Sequence, residues 1–161
     1  MAFVIILHLL PTHKSELAHI FNKFTSMSVI EAQSGMEIVP NHVYVIPPNT
    51  QMSVRNRKLE LQPRSQVEHP IMPIDYFFRS LAVDIQDRAI SVVLSGRLFD
   101  GAEGSMAVKD RGGIVFAQTP SSAQESSMPA HAVTMNKWEI DFILSPQEIG
   151  RELSRIGGRD Y

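Results

Sequence analysis

Two titratable residues lie where an α/β chain places its chemistry. His8 falls in the apolar run FVIILHLL (Phe3 to Leu10), and Asp100 falls in LSGRLFDGAEG (Leu94 to Gly104), which reads as a strand end, a turn and a helix start. In open α/β sheets ligands bind beyond the carboxyl ends of the strands, and both residues are expected there. A carboxylate that accepts the Nδ1 proton of an imidazole fixes its tautomer, stabilises the imidazolium and leaves Nε2 as a general base. Each residue alone has a plainer use. A histidine on an apolar strand is commonly a core group with both nitrogens satisfied, and an aspartate just before a helix is commonly its N-cap. Their shared edge makes half of a catalytic relay the sharper reading.

The nucleophile is the missing half. A strand-to-helix elbow reads G-x-S-x-G, and that pattern occurs nowhere in the 161 residues. Ser95 reads as the last hydroxyl of a strand, and Ser26, Ser80 and Ser105 sit in or beside helical stretches without a glycine elbow. There is no cysteine, which removes thiol nucleophiles, disulfides, thiolate zinc sites and iron–sulfur clusters together. His13 and His19 do not share a helical face and no H-E-x-x-H is present, so no metal site is expected. His42, His69 and His131 fall in expected loops or element ends, and Trp138 reads as packing.

The elements that would position His8 and Asp100 alternate in type. FVIILHLL reads as a buried parallel strand, followed by a helix from about Lys14 to Phe24 with Leu17, Ile20, Phe21 and Phe24 on one face. SVIEAQ follows, and HVYVIPP suggests a strand ending at Pro47. MSVRNRKLEL reads as a hairpin turning at Asn56 and Arg57. PIDYFFRSLAVD places Ile74, Phe77, Phe78 and Leu81 on one helical face, with Pro73 at the entrance. AISVVLS is a second buried strand, and a helix from about Ala102 to Arg111 stops at Gly112-Gly113. IVFAQ and EIDFIL are further strands, with a serine-rich loop and MPAHAVTM between them. SPQEIGRELSRI carries Ser145 as N-cap, Pro146 at the first turn and Glu148 three residues after the cap. This alternation predicts one α/β domain with a mainly parallel sheet.

Composition narrows the partners. Fifteen Lys and Arg against seventeen Asp and Glu give a net charge of −2, so no electrostatic footprint for nucleic acid is present. RNRK (Arg55 to Lys58) reads as a solvated turn. The opening MAFVIILHLLP lacks a basic leader and is far shorter than the roughly 20 residues a membrane span needs, so no membrane insertion is expected. The absence of cysteine suits a reducing cytoplasm.

The blocks MAFVIILHLLPTHKSELAHIF, GMEIVPNHVYVIPPN, HPIMPIDYFFRSLA, VVLSGRLFDGAEG, VKDRGGIVFAQTP and MPAHAV together resemble the catalytic domain of the chemotaxis protein-glutamate methylesterases (CheB-type). The likeness is strongest to the version found in methyltransferase–methylesterase fusion proteins. The resemblance implies a three-layer αβα fold with a mostly parallel, doubly wound, Rossmann-like sheet and a small antiparallel hairpin. It implies a domain over residues 1–156, incomplete at the N-terminus, with 157–161 as a loose tail. His8 and Asp100 match the family's catalytic histidine and aspartate; Gly96, Arg97 and Met128 fall in blocks expected to contact substrate.

The family's serine elbow lies upstream of the segment matched here, and so does its first strand. That strand belongs between the one carrying His8 and Ala89 to Ser95, so two unpaired ladders and a marginal fold are expected. Leu7 stands where the family has glutamine, and Arg97-Leu98-Phe99 fill a turn where it prefers small residues, which would crowd the pocket. The implied reaction is hydrolysis of glutamyl methyl esters on chemoreceptor cytoplasmic helices, without metal or organic cofactor. A fused or associated methyltransferase or receiver domain is the implied partner. With the elbow missing, an inactive family member is the leading expectation; a fragment completed in trans and a non-catalytic receptor-binding module are the alternatives.

Overall fold

The computed structural model describes residues 1–8, 16–64, 72–136 and 139–158. Strand β1 (Phe3–Ile5) is followed by α1 (Leu17–Phe21), β2 (Ser28–Glu31) and β3 (His42–Val45). These strands form a parallel sheet in the order β1-β3-β2, with Phe3 and Val29 both opposite Val43. The hairpin pairs β4 (Thr50–Arg55) with β5 (Lys58–Pro63). Next come α2 (Pro73–Ile85), β6 (Ile90–Val93), α3 (Ala102–Asp110), β7 (Ile114–Gln118), α4 (Ser127–Met135), β8 (Phe142–Leu144) and α5 (Pro146–Gly157). The second parallel sheet runs β6-β7-β8, with Phe116 opposite both Val92 and Phe142.

Local signals explain most of these boundaries. Asn56 and Arg57 turn the hairpin with φ of 52° and 60°, the left-handed pair whose twist suits a two-residue connection. Ser145 and Glu148 close the expected capping box on α5, with Pro146 in its first turn. Gly112 ends α3 at φ 82°, and the Gly112 and Gly113 amides donate to Lys109 and Val108 carbonyls.

Several expectations need correction. The first strand spans three residues rather than eight, and the strand expected to reach Pro47 ends at Val45. The first helix begins at Leu17 and ends at Phe21; its inward residues are Leu17, Ala18 and Phe21, while Ile20 and Phe24 are exposed. MPAHAVTM forms most of α4, so His131 lies within a helix and not in a loop. Pro129 is accommodated there because the first turn of a helix has no intrahelical use for its N–H groups. His13, His69 and Trp138 lie outside the described residues. Of the expected tail, Gly157 ends α5 and Gly158 caps it, and 159–161 are likewise outside.

The parallel strands form two sheets rather than one, with β1 and β6 as edges. One hydrophobic cluster joins the two on a single side. There Val4, Ile6, Tyr44, Val93 and Val115 pack with Phe77 and Phe78 of α2, Val108 of α3 and Leu59 of the hairpin. On the other side the cover is divided: Val29, Val43 and Val45 lie with α1, and Phe116 lies with Ile149 and Ile156 of α5. A cavity of about 330 Å³, lined by Met1, Phe3, Met27, Leu153 and Gly157 among others, opens between these two covers. All three β1 residues are only half-buried, whereas Val115 to Gln118 of the central strand β7 are buried. With helices on both sides of parallel strands, this is the expected three-layer arrangement.

Candidate active site

Asp100 is the anchor of the site. The chain leaves β6 through Leu94 to Phe99 and returns into α3 through Gly101, whose φ of 93° needs a residue without Cβ. A Cβ there would stand 3.0 Å from Ile74 Cγ2 and 3.3 Å from Val93 Cγ2. Asp100, before this tight passage, is fully buried. It is not the N-cap of α3, which is Gly101. Its carboxylate crosses to α2 instead: Oδ2 accepts the Ile74 N–H and Oδ1 accepts the Asp75 N–H, each at 2.9 Å. The N-cap of α2, Met72, has no capping side chain of its own. Asp100 therefore supplies the cap from elsewhere in the chain, and the helix N-terminus in turn stabilises its negative charge.

His8 lies just beyond β1 and completes the set. Its Nε2 is 2.9 Å from Asp100 Oδ2, and a third of its side chain is exposed. Sequence reasoning had Nδ1 facing the acid; the structure presents Nε2. With Nε2–H donating to Asp100, Nδ1 carries the lone pair and is the nitrogen available as base. A burial of Asp100 that would be costly for a lone carboxylate is thus met by two amides and one imidazole. The plainer alternative of a core role does not apply to His8, because its side chain is one-third exposed.

Gly96 and Met128 are brought together, and Arg97 is paired with Glu125, in ways the sequence did not indicate. The Gly96 amide donates to the Glu125 carbonyl at 2.9 Å, and the Gly96 carbonyl accepts from the Met128 amide at 3.0 Å. A Cβ at position 96 would lie 2.4 Å from Met128 Sδ. Met128 is 6% exposed and part of the core, and its thioether packs against the Gly96 turn. The Arg97 side chain is 80% exposed and paired with Glu125 at 2.8 Å. Leu98 takes φ 69°, a conformation that favours glycine, and it and Phe99 are more than half exposed. Phe99 rests against His131, with ring centroids 4.9 Å apart. The three bulky side chains are thus turned to solvent and to α4, and do not bury the imidazole.

No described hydroxyl is hydrogen-bonded to His8. Ser95 Oγ, just before the turn that carries Asp100, is committed to the backbone of Glu125, accepting its N–H at 3.0 Å and donating to its carbonyl at 3.3 Å. Among the described residues no group of three His, Cys, Asp or Glu is arranged to hold a metal ion, and no helix is long and apolar enough to cross a membrane.

Asp75 is a site residue that sequence reasoning missed. It is 6% exposed, and besides offering its amide to Asp100 its Oδ1 accepts the Gly104 N–H at 2.6 Å. Burial raises its pKa above the ordinary carboxylate value; the Gly104 N–H opposes that rise and the neighbouring Asp100 and Glu103 charges add to it. Its place in the first turn after Pro73 was visible in the sequence. Its partner 29 residues away was not.

Comparison with known proteins follows the same lines. Residues 1–153 match the CheB methylesterase family. A 104.1 kDa protein of Rhodobacter capsulatus is 37% identical over 134 residues, which are 83% of this chain and 14% of that protein. Protein-glutamate methylesterase/protein-glutamine glutaminase 1 of Myxococcus xanthus is 32% identical over 156 residues, covering 94% of this chain and 45% of the relative. The crystal structure of the Thermotoga maritima CheB methylesterase catalytic domain superposes with a TM-score of 0.83 at 25% identity, covering 95% of this chain and 82% of that one. This chain thus spans less than half the length of the first two relatives. A family match over nearly all of its residues, a shared fold and a buried acid aligned on a histidine agree: the chain belongs to the CheB methylesterase family of chemotaxis.

Proposed function

We propose that residues 1–156 are a protein-glutamate methylesterase domain holding the base and its orienting acid, His8 and Asp100, while depending on a hydroxyl from outside residues 1–161. On this reading the chain alone is catalytically silent. The observation that supports it is the 2.9 Å His8–Asp100 contact, with no described hydroxyl bonded to the imidazole.

The chemistry follows from the tautomer. As the incoming hydroxyl attacks the carbonyl carbon of a glutamyl methyl ester, Nδ1 of His8 takes its proton, and Asp100 stabilises the imidazolium through Nε2–H. The imidazolium then protonates the departing methoxide, giving methanol and an acyl intermediate. Water, deprotonated by the same nitrogen, attacks that intermediate, and the imidazolium returns the proton to the departing hydroxyl oxygen, leaving the free carboxylate. The substrate is a methylated helix of a chemoreceptor in the cytoplasm; on this reading Gly96, Arg97 and Met128 belong to the substrate-binding surface, with the Arg97 side chain exposed, and no cofactor enters the reaction. Relatives much longer than this chain support work alongside a fused or associated methyltransferase or receiver domain.

The test is methanol release from receptor helices carrying labelled methyl esters. The chain alone is expected to release none above buffer, and release that His8→Ala abolishes would overturn the reading. Supply of the hydroxyl by a complementing segment in trans is supported by the edge strands β1 and β6 and by the apolar cavity beside Phe3 and Leu153. A strand with both edges free could pair with β1 and β6, and an attached helix could fill the cavity.

A further inference from the structure

Helices α2 and α3 meet unusually closely at one point, and that point lies directly behind the His8–Asp100 pair. A Cβ on Gly104 would stand 2.7 Å from Phe78 Cβ, 2.8 Å from Asp75 Cα and 2.9 Å from the Asp75 carbonyl oxygen, so only glycine allows the approach. Across the contact the caps are reciprocal. Asp100, one residue before the N-cap of α3, accepts two amides from the first turn of α2. Asp75, in that first turn, accepts the amide of Gly104 in the first turn of α3. An ion pair between Arg79 and Glu103 joins the same two helices at the surface.

We infer that Asp75 is a positioning residue that acts through Asp100 on His8, clasping the start of α3 to the start of α2 so that the Asp100 carboxylate stays in line with Nε2. The inference rests on His8 and Asp100 being the relay of the proposed function. Three short links carry it: Asp75 Oδ1 to Gly104 N, Asp75 N to Asp100 Oδ1, and Asp100 Oδ2 to His8 Nε2. Without the first link, α3 is free to shift along α2, and Asp100 shifts with it. What the clasp needs is an acceptor at the end of a two-carbon side chain. Charge is not the requirement, because the Gly104 amide is satisfied by any well-placed oxygen.

The prediction is read on the proton that the clasp protects. A histidine N–H held by a buried carboxylate exchanges slowly with water, so the Nε2 proton of His8 is observable by NMR in the 15N-histidine-labelled chain. Asp75→Asn, which keeps the acceptor and its length, is expected to retain that signal. Asp75→Ala, which removes the acceptor, and Asp75→Glu, which displaces it by one methylene, are expected to lose it through at least tenfold faster exchange. Thermal midpoints recorded in parallel separate loss of the fold from loss of alignment. Should Asp75→Ala not fold, Asp75→Glu decides the matter.

A signal that survives in folded Asp75→Ala or Asp75→Glu overturns the inference and leaves the relay intact, assigning Asp75 to helix packing alone. A signal lost in folded Asp75→Asn also overturns it, since the charge would then be the requirement. Its absence in the unaltered chain overturns the relay and this inference together.

Discussion

At the scale of single residues, the site is a buried negative charge held by more partners than its sequence position suggests. Asp100 takes two helix amides and one imidazole nitrogen, and Asp75 takes a third amide within the same knot. The folded-state pKa of Asp75 lies above its ordinary value of 3.8, chiefly through burial. Ionisation of this group therefore opposes folding; the cost is fully present above the folded pKa and disappears below the unfolded one. Asp75→Asn keeps an acceptor for Gly104 and carries no charge. Its thermal midpoint at pH 7 is accordingly expected to exceed that of the unaltered chain, with the advantage shrinking as pH falls through the carboxylate range. Melts of both proteins from pH 7 to pH 3 check this, and a constant difference across that range would contradict it. The approach of His8 to Asp100 was legible in the sequence because each follows a strand. The nitrogen that meets the acid, and the helix that the acid caps, depend on which elements become neighbours in space.

At the scale of elements, the strongest local signals held best. The capping box of α5 and the Asn56–Arg57 turn form as residue chemistry predicts. The turn is also docked: Asp84 of α2 accepts the Asn56 and Arg57 amides at 2.5 and 2.8 Å. Arg57 nevertheless occupies a left-handed conformation that glycine adopts without strain. Arg57→Gly keeps the amide bond to Asp84 and relieves that strain, a gain partly offset by the greater freedom of glycine in the unfolded chain. The net effect is expected to be about 0.5–1 kcal/mol of added stability, a rise in Tm of about 2 °C for a chain of this size. Thermal melts of the two proteins provide the check, and a fall in Tm would contradict the strain argument. The helix α4 was illegible by comparison. MPAHAVTM carries no clear helix signal in sequence, but proline in a first turn is compatible with a helix, and Ala132 seals it against the core. The first helix was misread in the opposite sense, since Phe24 completes an apolar face on paper and is 81% exposed in the fold.

At the scale of the whole molecule, the family architecture was legible because its blocks occur in order along the chain. The division of the parallel strands was anticipated only through the resemblance, since no local residue pattern records which strand lies beside which. Among the described residues β1 and β6 end up as edges whose backbone groups have no ladder partner on one side, a costly state for largely apolar strands. Their carboxyl-terminal sides are nevertheless tied together through the hydrogen bond between His8 and Asp100, the pair proposed as half of a relay. On the proposed function, that half has no nucleophile of its own within residues 1–161. Intact-mass measurement of the purified chain after exposure to a serine-reactive fluorophosphonate puts this to the sharpest test. An unmodified mass is expected; a single adduct on one of these serines, abolished by His8→Ala, would show that the chain carries its own activated hydroxyl.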